Sequence, residues 1–356
     1  MQQQDSSFNE AEQQTYRPRS VNVDPSEQQR QTQPPIQEEH AGGYTEGYTA
    51  QEPYMGPGMM GGEKISPARR RKRRAPWILL AIIPLVFMLA LGGFIYGTVS
   101  RVHFLTKTAV HTFTVNGRPA LVVRNDSGKV FIHTGSSGTV IVQEKKYAEG
   151  IDSTLDNMNV TYYQEEPTNK IGVIGNEERG FFFGSHGIDL DITVPNASDV
   201  EVQTGAGSVT IDGVNGQASV QTGSGSITAN SLNGQETLKT GSGGIQINDL
   251  KGQATMGTGS GSIYMRQAQL SGQSIVKTGS GSIAFAGTLD PHGRYHFETG
   301  SGSVNLALPA SSAFHLTTST GSGSTSNDFG STSVGNGQQA DVTINTGSGS
   351  IYIRKE

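Results

Sequence analysis

The chain has 356 residues, 48 of them Gly, with 26 Lys and Arg against 31 Asp and Glu and a net charge of −5. It has no Cys, which excludes a disulfide framework, a thiol nucleophile and Cys-ligated zinc. The small negative charge disfavours nucleic-acid binding by the chain as a whole, and the high Gly content with one Trp is typical of a turn-dense β protein.

Residues 1–68 are rich in Gln, Glu, Pro, Gly and Ser and show almost no apolar periodicity. Such a segment buries too little apolar surface to offset the entropy of ordering it. We therefore predict a disordered tail over residues 1–68.

A basic run at residues 69–74 is followed by residues 75–100, which carry no formal charge. The apolar run is long enough to cross a hydrocarbon core of about 30 Å as a helix. Because basic residues concentrate on the cytoplasmic side of a span, the run acts as a topology signal that places the tail in the cytoplasm. The sequence predicts a single-pass protein of the cell membrane whose C-terminal part lies outside.

Residues 101–200 alternate apolar and polar side chains in short runs that are separated by turn residues. This pattern is typical of β-strands. We interpret residues 101–200 as an irregular β region that forms the N-terminal part or cap of a larger β structure.

A hexapeptide, Thr-Gly-Ser-Gly-Ser-Ile, dominates residues 201–356. Its copies, some degenerate, begin at Thr204, Thr222, Thr240, Thr258, Thr278, Thr299, Thr320 and Thr346. A fixed period of this length marks a repeat protein in which each unit buries its apolar side against its neighbours. Apolar residues recur two positions before, five after and seven after each Thr, so these rows predict the core.

Residues separated by an even number of positions share one face of a strand, but the inward-facing Ile follows the Thr by five positions. The chain must therefore turn at the intervening Gly-Ser-Gly. We expect these Gly residues to supply positive φ angles. The prediction is an all-β fold, a right-handed parallel β-solenoid (β-helix) with coils of about 18–21 residues, its handedness following from the crossover rule. Longer gaps after Thr258 are interpreted as corner loops, the largest at residues 326–340.

No catalytic residue, cofactor or metal ligand is predicted. The Gly-rich repeat lacks the Lys of a nucleotide-binding loop and the turn Asp of calcium-binding repeats. Two weaker surfaces remain. One is a row of outward-facing Ser side chains, one from each of several hexapeptides, which either contacts a ligand or is only solvated. This Ser row consists of Ser208, Ser226, Ser262, Ser282, Ser303, Ser324 and Ser350. The other is a loop that carries Asp290, His292, Arg294 and His296, where Pro291 and Gly293 disfavour a helical metal pair.

The segment Ile188-Asp-Leu-Asp-Ile-Thr-Val-Pro195, followed by Val200-Glu-Val-Gln-Thr-Gly-Ala-Gly-Ser-Val209 and the tandem coils, resembles the bacterial putative-adhesin family of β-strand-repeat proteins. The resemblance implies a membrane-anchored envelope β-solenoid without established catalytic residues. The leading hypothesis is adhesion or cell-envelope interaction, with the membrane as one partner and a cell-surface glycan, a protein or a second copy as the other. The alternatives are an envelope sensor or scaffold that signals through the cytoplasmic tail and, third, a polysaccharide lyase or hydrolase that needs carboxylates beside Arg294 or His296.

Overall fold

The computed structural model describes residues 84–93, 102–151, 154–177 and 183–356. A helix, α1, spans 84–93 with exposed side chains. No helix within these ranges is both long and apolar enough to cross a membrane. The predicted tail, the basic run and the remainder of the predicted span, 75–83 and 94–100, lie outside the described residues.

From residue 102 onward the described chain is built of β-strands. The N-terminal strands are β1 (Val102–Thr114), β2 (Ala120–Asn125), β3 (Val130–Gly135), β4 (Thr139–Ile151), β5 (Met158–Glu165), β6 (Lys170–Glu177) and β7 (Phe183–Pro195). The middle strands are β8 (Asp199–Thr204), β9 (Val209–Asp212), β10 (Ala218–Thr222), β11 (Ile227–Thr240), β12 (Ile245–Thr258), β13 (Ile263–Leu270), β14 (Gln273–Thr278) and β15 (Ile283–Leu289). The last strands are β16 (Arg294–Ser301), β17 (Val304–Leu308), β18 (Phe314–Ser322), β19 (Thr325–Asn327), β20 (Ser333–Val334), β21 (Ala340–Ser348) and β22 (Ile351–Lys355).

These strands stack into a parallel β-solenoid, as predicted. Equivalent positions of successive hexapeptides pair directly, for example Thr222 with Thr240 and Ile227 with Ile245. Face 1 contains the strands that lead into each hexapeptide: β2, β6, β8, β10, β14, β16, β18, β21 and the second halves of β11 and β12. Face 2 contains the strands that follow it: β3, β7, β9, β13, β15, β17, β19, β22 and the first halves of β11 and β12.

The predicted apolar rows form the core. In the coil around Thr240, Leu238, Ile245 and Ile247 are all fully buried, and the equivalent residues of the other regular coils are at most 2% exposed. The core residues could be predicted from the sequence because alternation by two within each strand places every second side chain on the inner face.

The reason expected for the repeat glycines is wrong. Among the glycines of the hexapeptides, only Gly323 and Gly349 have φ in the positive range. The others are required by close approach: a Cβ at Gly225 or Gly243 would collide with a backbone carbonyl of the neighbouring coil. Positive φ instead occurs nine residues after the Thr, where Ser231, Asp249 and Gln267 make another corner.

The coils do not stack in chain order at either end. At the C-terminal end, β21 lies between β16 and β18, and β22 lies between β17 and β19. At the N-terminal end, β2 lies between β6 and β8, and β3 lies between β7 and β9. Within the segment 326–340, predicted to be a corner loop, residues 328–339 connect β19 to β21 and so carry the chain back by one coil position.

The N-terminal strands differ in length and pairing from the regular coils. Long strands β1, β4 and β7 form an antiparallel sheet that continues face 2. On face 1, β5 pairs antiparallel with β6. The solenoid thus ends in antiparallel strands on this side.

Candidate functional site

The Thr of the hexapeptide is a structural residue. The Thr240 hydroxyl donates to the Gly225 carbonyl at 2.8 Å and accepts from the Gly243 backbone N–H at 3.1 Å. The same two bonds recur at Thr222, Thr258 and Thr278. The sequence indicates that the Thr is buried, because each of these Thr residues follows a buried apolar residue by two positions and therefore lies on the same face of the strand.

The predicted Ser row is partly assembled. Ser208, Ser226 and Ser324 are exposed, and the other four members are half-buried. In space the later residues follow the order Ser262, Ser282, Ser303, Ser350 and Ser324. In this order each hydroxyl oxygen accepts from the backbone N–H of the next Ser at 3.1 to 3.4 Å. Much of the acceptor capacity of the row is therefore used within the solenoid.

The structure separates the four residues of the predicted loop. Asp290 and His292 lie in a tight turn, where the Asp290 carboxylate accepts from the His292 backbone N–H at 2.9 Å and lies 3.2 Å from His292 Nδ1. These two contacts lower the pKa of Asp290. Buried Tyr295 secures the turn through its hydroxyl, which donates to the Leu270 carbonyl at 2.9 Å and lies 3.0 Å from the Asp290 carbonyl oxygen.

Arg294 and His296 point outward from β16 into a concave surface on face 1, which we call the face-1 trough. It has a volume of about 540 Å³ and crosses β14, β16, β21 and β18. Two rows of paired positions line it: Gln273, Arg294, Asp341 and His315 in one, and Ile275, His296, Thr343 and Thr317 in the other.

Asp341 and His315 belong to this trough only because of the coil order. Had the coils stacked in chain order, His315 would lie directly beside Arg294. Insertion of β21 places Asp341 between them. The sequence did not predict either residue as part of a site, since the repeat pattern does not specify which coil contacts which.

The charges around the trough are paired. His296 Nε2 lies 2.9 Å from Glu298 Oε2, and Lys277 Nζ lies 2.7 Å from the same oxygen. The hydrogen bond from Lys277, followed by that from His296, lowers the pKa of Glu298. Arg294 Nε and Asp341 Oδ2 are 3.9 Å apart and largely exposed, so this pair contributes little to stability.

The cluster is suited to hydrogen bonding of a polar ligand. It offers a guanidinium, two imidazoles, two Thr hydroxyls and a carboxylate on one rigid sheet. Throughout the ranges that the structure describes, no three His, Asp or Glu side chains are arranged to hold a metal ion.

One buried ionisable residue lies away from the trough and was not predicted. Glu236 occupies a core position between Ala218 and Ala254 on neighbouring coils and is 1% exposed. Burial raises its pKa to about 8, and the backbone N–H of Ala218 offsets only part of that rise. The small flanking residues leave space for the side chain.

Most of the β-solenoid matches a known protein family. Residues 120–354 match a family model described as Toastrack DUF4097. No curated protein sequence matches the chain.

Three solved structures are similar to parts of the chain. A putative cell adhesion protein from Clostridium sporogenes is 12% identical, with 71% of this chain and 100% of that chain covered and a TM-score of 0.28. A putative adhesin from Bacteroides fragilis is 12% identical, with 69% and 97% covered and a TM-score of 0.40. A putative adhesin from Parabacteroides distasonis is 10% identical, with 69% and 97% covered and a TM-score of 0.37.

Proposed function

The chain belongs to the Toastrack DUF4097 family, and from that premise we propose that it presents a right-handed β-solenoid outside the cell from a single membrane anchor. The solenoid binds a component of the cell envelope or of an adjoining surface. The family match agrees with the resemblance noted in the repeat sequence.

The proposed anchor is supported by sequence alone. The basic run at 69–74 directly precedes the uncharged residues 75–100, of which α1 forms a part. This arrangement favours a cytoplasmic location for residues 1–68 and an extracytoplasmic location for everything after the span.

The binding role is carried by one observation, the face-1 trough. Its lining comes from four stacked strands whose inner side chains are buried, so the polar groups are held in place before a ligand arrives. Such preorganisation reduces the entropy lost on binding.

A polysaccharide-cleaving enzyme is the alternative that a specific feature favours, because His296 contacts the Glu298 carboxylate and lines the face-1 trough together with Arg294. Glycoside hydrolysis requires one carboxylic acid that retains its proton. The bonds from Lys277 and His296 keep Glu298 ionised, which favours binding over cleavage. New reducing ends in purified polysaccharides after incubation with the protein, lost in His296→Ala, would support the enzyme instead.

Envelope binding can be tested with trough variants. The purified full-length protein in detergent is mixed with isolated cell-envelope fragments, and sedimentation measures the bound fraction. The double variant Arg294→Ala/His315→Ala is expected to bind several-fold less than the wild type. Lys239→Ala, at an exposed position on the same face but outside the trough, should bind like the wild type. Equal binding by all three proteins would exclude the trough as the binding surface.

A further inference from the structure

A second concave surface lies on face 2, on the opposite side of the hexapeptide corner. This face-2 trough has a volume of about 340 Å³ and crosses the neighbouring strands β13, β15, β17 and β22. Its floor consists of the small side chains Ala284, Ala286 and Ala307. Because only a methyl group projects at each of these outward positions, the protein surface is lower there than over the larger side chains on either side.

Large side chains form the rims. Tyr264 and Arg266 project from β13, and Arg354 projects from β22, three strand spacings away or about 14 Å. The Tyr264 side chain is 46% exposed although its ring is large and apolar. A β-bulge between Met265 and Ala268 changes the direction of strand β13 next to Arg266.

Both guanidinium groups are available. Within the described ranges, neither Arg266 nor Arg354 forms a salt bridge with a carboxylate. One carboxylate does line the trough, that of Glu356, next to Arg354. The surface thus combines two unpaired cations, one anion, an exposed aromatic ring and the amide of Asn305.

From this combination we propose that the face-2 trough binds an acidic oligosaccharide. The Tyr264 ring and the Ala floor suit the apolar face of a pyranose ring, and Asn305 suits its hydroxyl groups. Arg266 and Arg354 each recognise a sugar carboxylate, for which the planar guanidinium has matching geometry. The distance between them selects a chain of several sugar units rather than a single one.

Two other classes of ligand fit less well. A peptide that adds a strand needs an open sheet edge. Here β15 and β17 are paired on both sides, so their backbone groups are already used. A nucleic acid depends on many phosphate contacts, and the trough has only two cations.

This inference rests on the proposed function in one respect, that the solenoid faces an environment containing such glycans. The binding itself is a property of the purified protein. Its absence would therefore refute the glycan site without bearing on membrane topology.

The test is isothermal titration calorimetry of tetragalacturonic acid into the purified full-length protein in detergent. We expect the wild type to bind this tetrasaccharide and to bind neutral cellotetraose much more weakly. Arg266→Gln/Arg354→Gln should weaken binding at least about tenfold, because charge-assisted hydrogen bonds are lost. Glu356→Gln should strengthen it, since a like charge is removed.

The matched control is Lys239→Gln/Lys251→Gln, which removes the same charge from exposed positions outside the trough. Its affinity should stay within about twofold of the wild type. The proposal is overturned if the wild type shows no binding at millimolar tetragalacturonic acid. It is equally overturned if the Arg double variant and the Lys control lose affinity to the same extent, or if cellotetraose binds as well as the acid.

Discussion

Packing between neighbouring coils determines the ionisation of buried side chains and the residue types that fit at each position of this solenoid. Glu236 illustrates the point: its unfolded pKa is near 4.5, and burial raises the folded value to about 8. Between these values the folded protein keeps a proton that the unfolded chain has released. The contribution of Glu236 to stability is therefore most favourable below about pH 4.5 and is lost as the pH rises to about 8.

We predict that Glu236→Gln removes this loss. At pH 9 the variant should unfold at a higher temperature than the wild type, with a gain on the order of a few kcal/mol at about 1.4 kcal/mol per pKa unit. Near pH 4.5 the two proteins should be similar, because the wild-type side chain is then protonated in the folded state and about half protonated in the unfolded state. Thermal unfolding across this pH range, with exposed Glu149→Gln as the control, measures the difference. A gain that is the same at both pH values would show that the titration of Glu236 is not responsible.

Glycines in the repeat fall into two classes that a pair of substitutions distinguishes. Gly243→Ala places a Cβ against the Gly225 carbonyl and should destabilise the protein by more than about 2 kcal/mol. Gly257→Ala, near the end of β12, meets nothing nearer than a Lys239 side-chain carbon at 4.0 Å and should be neutral or slightly stabilising. Chemical denaturation gives both values, and equal effects would contradict the close-approach explanation.

At the scale of strands and coils, the sequence predicted the core but not the stacking order. Alternation by two within each strand, as at Ile245 and Ile247, is enough to identify inward positions. Every coil, however, presents the same pattern to both neighbours, so the pattern fits any order. For the same reason the sequence identified Arg294 and His296 but not Asp341 and His315, which only the inserted coil brings beside them.

The coil order can be checked by engineered disulfides, since the natural chain contains no Cys. Asn305 and Tyr352 pair on adjacent strands, whereas Ser326 lies one strand further away, at about 10 Å from Asn305. The pair Asn305→Cys/Tyr352→Cys should form a disulfide readily, and Asn305→Cys/Ser326→Cys should not, because bridged Cα atoms lie within about 7 Å. Non-reducing gel mobility and mass spectrometry report the outcome. Preferential bridging of the second pair would indicate that the coils stack in chain order.

For the whole molecule, inserted coils at both ends have a structural consequence. The first and last parallel coils in the chain, β2–β3 and β21–β22, are each covered by a coil from further inside the sequence. Neither can leave the stack without disturbing the coil above it. This arrangement supports a rigid platform, as the proposed presentation of both troughs requires.

The membrane topology is the claim on which every proposed surface role depends, and cysteine labelling tests it directly. Gln203→Cys places the only thiol on the exposed surface of β8, and Gln13→Cys places it in the N-terminal segment. Intact cells that express each variant are treated with a membrane-impermeant maleimide, before and after permeabilisation. We expect labelling of Gln203→Cys on intact cells and of Gln13→Cys only after permeabilisation. Labelling of Gln13→Cys on intact cells, or protection of Gln203→Cys until permeabilisation, would contradict an extracytoplasmic solenoid on a single-pass anchor.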